Sequence, residues 1–114
     1  QSLYTFIRGV GNMKIESKLY NNTLFIAIYG ELDEYTAVYT RNELDRIISE
    51  NEMKRVVVDL SELSFMDSTG VGILIGRFKK LRAKNIPIFI ANPSKTVDKI
   101  FSMTGLYEIM PKIG

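Results

Sequence analysis

Residues 56–72 read VVVDLSELSFMDSTGVG, and this stretch decides the fold of the chain. The run begins at residues 56–60 with an apolar segment that is typical of a strand buried on both faces. A short loop follows, and it delivers Ser68 to the start of a glycine-bearing helix. The first N–H groups of a helix have no partner inside the helix, and the helix dipole favours negative charge there. The sequence therefore places a hydroxyl where a phosphate would be stabilised.

Before this stretch, the pattern of side chains predicts a β-hairpin. Residues 14–20 alternate between polar and apolar side chains, and residues 24–29 form a run rich in β-branched and aromatic residues. Asn21-Asn22 between them is a tight-turn signal, so the two strands are expected to pair. Residues 30–33 are expected to close the hairpin.

A helix is predicted next, over residues 35–50, because apolar side chains recur at helical spacing. Asp33 is the expected N-cap of this helix. A second helix is predicted over residues 69–84, with an apolar stripe at Val71, Leu74, Ile75, Phe78 and Leu81.

The remaining residues predict a strand, a helix and a last short strand. Residues 86–91 are apolar, and the third helix is expected to start at residues 92–94 with Pro93 in its first turn. Gly105 is the expected C-cap of this helix, and residues 106–110 are expected to add the last strand.

The predicted order is therefore β-β-α-β-α-β-α-β, which indicates an α/β fold. We expect a mostly parallel sheet of four to five strands, opened by an N-terminal β-hairpin, with helices packed on it. Residues 13–114 form one domain. Residues 1–12 are either a leader added for expression or a natural extension that supplies an edge strand, and they are left out of the fold prediction.

The composition excludes several classes of function. The chain has 114 residues, no cysteine and no histidine, which excludes disulfides and thiolate metal sites and removes the commonest general base. The formal net charge of +2 gives no argument for attraction to nucleic acid or to a membrane surface. No apolar run reaches the roughly 18 residues that a membrane span needs.

Ser68 is the first candidate for function. Without a histidine it has no nearby base to make it a nucleophile, so we interpret it as a group that another protein modifies. The alternative is that it only caps the helix, which serines do routinely at a gain of roughly 1 kcal/mol. Both can hold, because a capping serine already lies at the anion site.

Three glycines near the start of the second helix are the second candidate. A glycine inside a helix costs roughly 0.5–1 kcal/mol relative to alanine, so Gly70, Gly72 and Gly76 need a reason. One reason is close packing of the helix on the sheet, and the other is a bare surface that lets a partner approach. The spacing matches neither a P-loop nor a dinucleotide-binding fingerprint.

Asp33 and Asp67 each follow a strand and precede a helix. In a mostly parallel sheet such loops share the carboxyl edge, which is the usual ligand side. The two carboxylates either cap their helices or flank Ser68 and help a partner to recognise it. A magnesium site would need further ligands, and none is evident.

The basic residues at the end of the second helix are expected to be a solvated face that matches the helix dipole; they are Arg77, Lys79, Lys80, Arg82 and Lys84.

Residues 13–114 resemble STAS domains, and among them the anti-sigma factor antagonists of the sporulation type. The resemblance is carried by GELD at residues 30–33, VVDLS at residues 57–61 and FMDSTGVG at residues 65–72, which continues into Gly76-Arg77. It implies a STAS fold and a cytoplasmic regulatory protein that is not an enzyme and needs no cofactor.

The resemblance also implies a mechanism. An unphosphorylated antagonist binds an anti-sigma factor, which is also a serine kinase of the GHKL type, and frees the sigma factor. Phosphorylation of the motif serine, here Ser68, releases the antagonist, and a PP2C-type phosphatase resets it. Asp33 matches a partner-contacting aspartate, and Thr69 matches a position that is Ser or Thr in the family. The implied partner-binding residues are Asp33, Asp67, Ser68, Thr69, Gly70, Gly72 and Gly76.

Three alternatives stay open. The same fold could serve another partner-switching pathway, such as general stress control. It could instead be a stand-alone module that binds a nucleotide or another small anion at the helix start that carries Ser68. The third alternative is a small enzyme that uses Asp33 and Asp67 as a carboxylate pair, which the lack of histidine, cysteine and a cofactor motif disfavours.

Overall fold

The structure, a computed structural model, describes residues 4–114, with side chains from residue 11 onward. In chain order the elements are β1 (Tyr4–Val10), β2 (Met13–Tyr20), β3 (Thr23–Leu32), α1 (Ala37–Ser49), β4 (Arg55–Asp59), β5 (Leu63–Met66), α2 (Ser68–Arg82), β6 (Ile88–Ala91), α3 (Lys95–Thr104), a 3₁₀ turn (Leu106–Glu108) and β7 (Lys112–Ile113). None of the helices in this range is long and apolar enough to cross a lipid bilayer.

The strands form one mixed sheet in the order β1-β2-β3-β4-β6-β7, and β5 pairs with β3 beyond the end of β4. The pairs β1–β2 and β2–β3 are antiparallel, and all the pairs that follow are parallel. The α/β class, the opening hairpin and the mostly parallel sheet are therefore confirmed. The predicted number of four to five strands is too low, because the sheet has seven strands within the described residues. Residues 1–3 lie outside the described residues, and the origin of residues 1–12 stays a prediction.

The opening hairpin turns where the sequence predicts it. Tyr20 and Thr23 are register partners, so Asn21 and Asn22 form a two-residue turn. Both asparagines have positive φ, 50° and 62°. This is the type I′ geometry whose twist matches that of the flanking strands, and asparagine tolerates it better than most residues.

β3 does not end before residue 30 as predicted but continues to Leu32. Gly30 lies inside the strand at φ +104°, where a Cβ would lie 1.7 Å from the carbonyl oxygen of Asn12. The register with β5 shifts between Gly30 and Glu31. The glycine thus forms an irregularity within the strand rather than its end, because only a residue without a side chain can pass so close to the β1–β2 turn.

Two further predictions are wrong at the level of elements. Residues 63–66, predicted as loop, form β5, since their N–H and C=O groups pair with the end of β3. Residues 106–110, predicted as a strand, form a 3₁₀ turn (Leu106–Glu108) and the bend after it, in which Leu106 and Met110 are buried, and the last strand is β7. Short apolar runs do not distinguish strand from turn, and packing decides between them.

The helix starts are also corrected. Ser94 caps α3 and accepts a hydrogen bond from the N–H of Val97, so Pro93 precedes the helix rather than lying in its first turn. Gly105 has φ +76° at the C-cap of α3, as predicted. A left-handed residue there is what glycine supplies at lowest cost.

One hydrophobic core holds the helices on a single face of the sheet. Ile26, Val58 and Ile90 are register neighbours on β3, β4 and β6, and all three belong to the core cluster. α1, α2 and α3 contribute buried side chains to the same cluster, including Leu44, Leu74 and Phe101. The sheet and three helices therefore share one apolar interior, as expected for a domain of this size.

The basic end of α2 is only partly solvated. Arg77 is 7% exposed, and its Nε lies 3.0 Å from Oδ1 of Asp45 on α1. The prediction of a solvated face is therefore wrong at Arg77, which lies between the two helices. Lys79, Lys80, Arg82 and Lys84 are exposed, as predicted.

Candidate functional site

The carboxyl ends of β3 and β5 form the floor of the candidate site. Leu32 and Met66 are register partners, and the N–H of Asp67 donates to the carbonyl oxygen of Leu32 at 3.2 Å. Neighbouring strands lie about 4.8 Å apart. Asp33 and Asp67 therefore follow adjacent strand ends, and Ser68 comes directly after Asp67.

Asp67, not Ser68, caps α2. Its backbone is extended, at φ −103° and ψ −171°, and its Oδ1 accepts a hydrogen bond from the N–H of Gly70 at 3.0 Å. Ser68 is the first residue of the helix, and both Ser68 and Thr69 are exposed. Within the described part of the chain, no hydrogen bond engages the Ser68 hydroxyl. The hydroxyl thus stands free at the positive end of the helix dipole.

Asp33 does not cap α1, contrary to prediction. Its Oδ1 accepts from the N–H groups of Tyr35 at 2.9 Å and Thr36 at 3.1 Å, which closes a tight turn before the helix. Thr36 occupies the N-cap position without a side-chain cap bond, and its hydroxyl donates to the carbonyl oxygen of Glu31 at 2.8 Å. An aspartate a few residues before a helix can form either arrangement, and the spacing alone does not distinguish them.

The three glycines of α2 fall into two groups. A Cβ on Gly70 would lie 2.7 Å from the carbonyl oxygen of Leu32 and 2.7 Å from Cγ of Met66. Gly70 is therefore needed for close packing of the helix start on β3 and β5. A Cβ on Gly72 or Gly76 would meet nothing within 4 Å. Packing inside the domain gives no reason for these two glycines, which leave the face of α2 bare.

Exposed apolar side chains lie on the elements that end or begin at this edge, and the motif analysis missed them. Tyr35 is 89% exposed in the turn before α1, Val38 is 58% exposed in the first turn of α1, and Phe65 is 44% exposed on β5. The only sequence signal was Phe65, an aromatic residue beside the serine motif. Large apolar groups exposed together favour a protein-binding surface.

The same edge carries acidic side chains and no metal cluster. Asp33, Glu34 and Asp67 all lie in its loops. Among residues 4–114, no group of three or more carboxylates could hold a metal ion. A groove of about 490 Å³ runs between the β1–β2 turn and the ends of β3 and β5. Ser68 does not line this groove. The one lysine among the groove's lining residues is Lys14, whose Nζ lies 4.7 Å from the centre of the Tyr29 ring.

Comparisons with known proteins agree with this geometry. Residues 14–114 match the family model described as STAS domain. An anti-sigma F factor antagonist from Paenibacillus polymyxa is 32% identical over 100 residues, covering 88% of this chain and 86% of that protein. An anti-sigma-B factor antagonist from Staphylococcus aureus is 30% identical over 102 residues, covering 87% of this chain and 91% of that protein.

Solved structures of one antagonist are also similar. The anti-sigma factor antagonist SpoIIAA in its unphosphorylated form is 28% identical with a TM-score of 0.64, covering 98% of this chain and 89% of that chain. The Bacillus cell fate determinant SpoIIAA in its phosphorylated form is 27% identical with a TM-score of 0.58, covering 98% and 92%.

Proposed function

This chain belongs to the anti-sigma factor antagonist family of STAS domains, and we propose that it captures an anti-sigma factor until Ser68 is phosphorylated. Antagonists of this family are regulatory proteins and not enzymes. The observation that carries the proposal is the exposed Ser68 hydroxyl at the first position of α2, left free because Asp67 makes the cap.

The capture surface is the carboxyl edge around Ser68. The bare face of α2 at Gly72 and Gly76 lets a partner backbone come close, and Tyr35, Val38 and Phe65 are exposed apolar side chains on elements that begin or end at this edge. Aromatic side chains at the centre of an interface commonly supply much of its binding energy. Asp33, Asp67, Thr69 and the packed Gly70 shape the same edge.

Phosphorylation would reverse this binding through charge. A phosphate adds about −1.5 to −2 charges at pH 7. On Ser68 it would be stabilised by the N–H groups of the helix start, yet it would lie next to the carboxylate of Asp67. A desolvated interface formed around a neutral hydroxyl cannot accommodate that charge and bulk, so the partner is released without any rearrangement of the domain.

The chemistry of transfer belongs to the partners. Phosphoryl transfer needs ATP, Mg²⁺ and a positioned base, which a GHKL-type serine kinase supplies, while this chain supplies the hydroxyl. A PP2C-type phosphatase would remove the phosphate. The relatives include antagonists of both anti-sigma F and anti-sigma-B factors, and the likeness to SpoIIAA supports the sporulation pathway. This role is a cytoplasmic one.

The test is an intact-mass measurement with site mapping, after the chain is mixed with ATP, Mg²⁺ and a purified anti-sigma kinase of the GHKL type. We expect one added phosphate on Ser68, no phosphate on Ser68→Ala, and kinase capture by Ser68→Ala but not by Ser68→Asp. Equal loss of capture in both variants would contradict the charge switch. Neither phosphate nor complex would instead favour the module that binds a nucleotide or another small anion.

A further inference from the structure

A second surface lies between the C-terminal halves of α1 and α2, and the proposed switch does not use it. The two helices border a groove of about 690 Å³. The apolar residues that line its floor are Ile48, Leu81 and Ala83; Leu81 is fully buried, so Ile48 and Ala83 supply the accessible apolar surface. Polar and charged side chains form its rim; they are Asn42, Asp45, Arg46, Ser49, Lys80 and Lys84.

Ion pairs leave this rim with a surplus of positive charge. The carboxylate of Asp45 forms two ion pairs, one with Nε of Arg77 at 3.0 Å and one with Nζ of Lys80 at 3.2 Å. Arg46 is paired with two glutamates of its own helix, Glu43 and Glu50. Nearby, the end of α2 and the residues after it add three further exposed cations, namely Lys79, Arg82 and Lys84. Since the whole chain has a net charge of only +2, positive charge is concentrated at this end of the molecule.

We propose that this α1–α2 groove docks an acidic amphipathic helix of a partner protein. A third helix can lie in the groove between two packed helices and place apolar anchors at i, i+3, i+4 and i+7 on the floor. Acidic residues on its flanks would then meet Lys80 and Lys84. Complementary charge of this kind speeds association and selects acidic over basic partners.

The groove is remote from Ser68. α2 has 15 residues and is therefore about 22 Å long, with Ser68 at one end and the groove lysines at the other. Charges exposed to solvent are largely screened beyond about 8 Å at physiological ionic strength. A phosphate on Ser68 would therefore leave the groove unchanged, and a partner docked there can stay bound in both states of the switch.

The experiment is an NMR titration of the ¹⁵N-labelled full chain with two synthetic 18-residue peptides. One carries leucines at helical spacing and glutamates elsewhere, and its counterpart carries lysines in place of the glutamates. For the acidic peptide we expect saturable amide shifts at Asn42, Ser49, Ala83 and Lys84, and none for the basic peptide. In Lys80→Glu/Lys84→Glu we expect binding about tenfold weaker.

The matched control is Lys95→Glu/Lys99→Glu, which makes the same change in net charge at exposed positions of α3. It should bind the acidic peptide like the wild type, and so should Ser68→Asp. Equal weakening in the control, equal shifts with the basic peptide, shifts centred on Ser68, or no saturable shift would each overturn the proposal. Since capture of the anti-sigma kinase is measured separately, failure of the groove and failure of the proposed switch are distinguishable.

Discussion

At the scale of single residues, the glycines of α2 show how one residue type serves two purposes. Gly70 has no room for a side chain, because the Leu32 carbonyl and the Met66 side chain occupy the space. Gly72 and Gly76 have room and no internal contact to make. The helix therefore keeps two glycines that weaken it and that make no internal contact, which is consistent with the proposed capture surface.

This contrast predicts opposite effects on stability. Gly70→Ala should lower the free energy of unfolding by about 1–3 kcal/mol, because its Cβ overlaps backbone that cannot shift cheaply. Gly72→Ala should raise it by about 0.5–1 kcal/mol, because alanine favours the helix and meets nothing. Urea unfolding of both variants measures the difference. Equal destabilisation by the two changes would show that Gly72 is also a packing residue.

At the scale of elements, the start of α2 separates two functions that the sequence left together. Asp67 satisfies a free N–H group of the helix start, and the Ser68 hydroxyl, the proposed phosphorylation site, stays exposed. The neighbouring helix α1 contacts α2 in a different way, through an ion pair between Asp45 and the buried Arg77. Ionic contact between the helices thus lies far from Ser68, toward the opposite end of α2.

The cap predicts that Asp67→Ala and Asp67→Asn differ in stability. Alanine removes the acceptor for the Gly70 N–H and should lower the free energy of unfolding by about 1 kcal/mol. Asparagine keeps a capping oxygen and should leave stability nearly unchanged while it removes the charge.

Thermal or urea unfolding of both Asp67 variants checks the cap, and capture of the anti-sigma kinase by the asparagine variant reports the carboxylate's part in recognition. If Asp67→Asn is as unstable as Asp67→Ala, the charge rather than the cap stabilises the helix start.

At the scale of the whole molecule, a small polar cluster ties the C-terminal segment to α3. Asp98 on α3 accepts hydrogen bonds from the hydroxyl of Tyr107 and from Nζ of Lys112 on β7. The hydrogen bond from Tyr107 and that from Lys112 hold the pKa of Asp98 below its usual range. Burial and the neighbouring Asp98 raise the pKa of Tyr107 well above its usual value.

The signs of these shifts define a pH window. A carboxyl with a lowered pKa stabilises the fold above its unfolded pKa of about 3.9, and this stabilisation is lost as pH falls. A phenol with a raised pKa stabilises the fold below its unfolded pKa of about 10, and this is lost as pH rises. The cluster should therefore stabilise the fold fully between about pH 5 and pH 9.

Tyrosinate absorbance during an alkaline titration checks the upper limit. A step later than that of an ordinary phenol should appear, and Tyr107→Phe should remove that late step. Tyr35→Phe is the matched control, since Tyr35 is 89% exposed and lies outside this cluster, and the late step should persist in it. A late step that persists in Tyr107→Phe would assign the shifted group elsewhere.

Much of the fold followed from local signals, and the errors share one cause. Periodicity located the opening hairpin and all three helices, because alternation and helical spacing are written in neighbouring residues. It missed β5 and placed the last strand too early, because these segments of two to four residues exist only through pairing with distant strands. It also misassigned Asp33, because a turn and a helix cap use the same local spacing, and Arg77, because its partner Asp45 lies on another helix.

The sequence by itself determined the α/β class, the hairpin turn at Asn21-Asn22, the family, and the position of Ser68 before a glycine-bearing helix, since each depends on residues close together in the chain. Only the tertiary structure decided which residue caps α2, which glycines are packed and which are bare, and that Tyr35, Val38 and Phe65 are exposed near the carboxyl edge. The physical reason is that burial and close approach are properties of chains brought together by folding, and local propensity does not encode them.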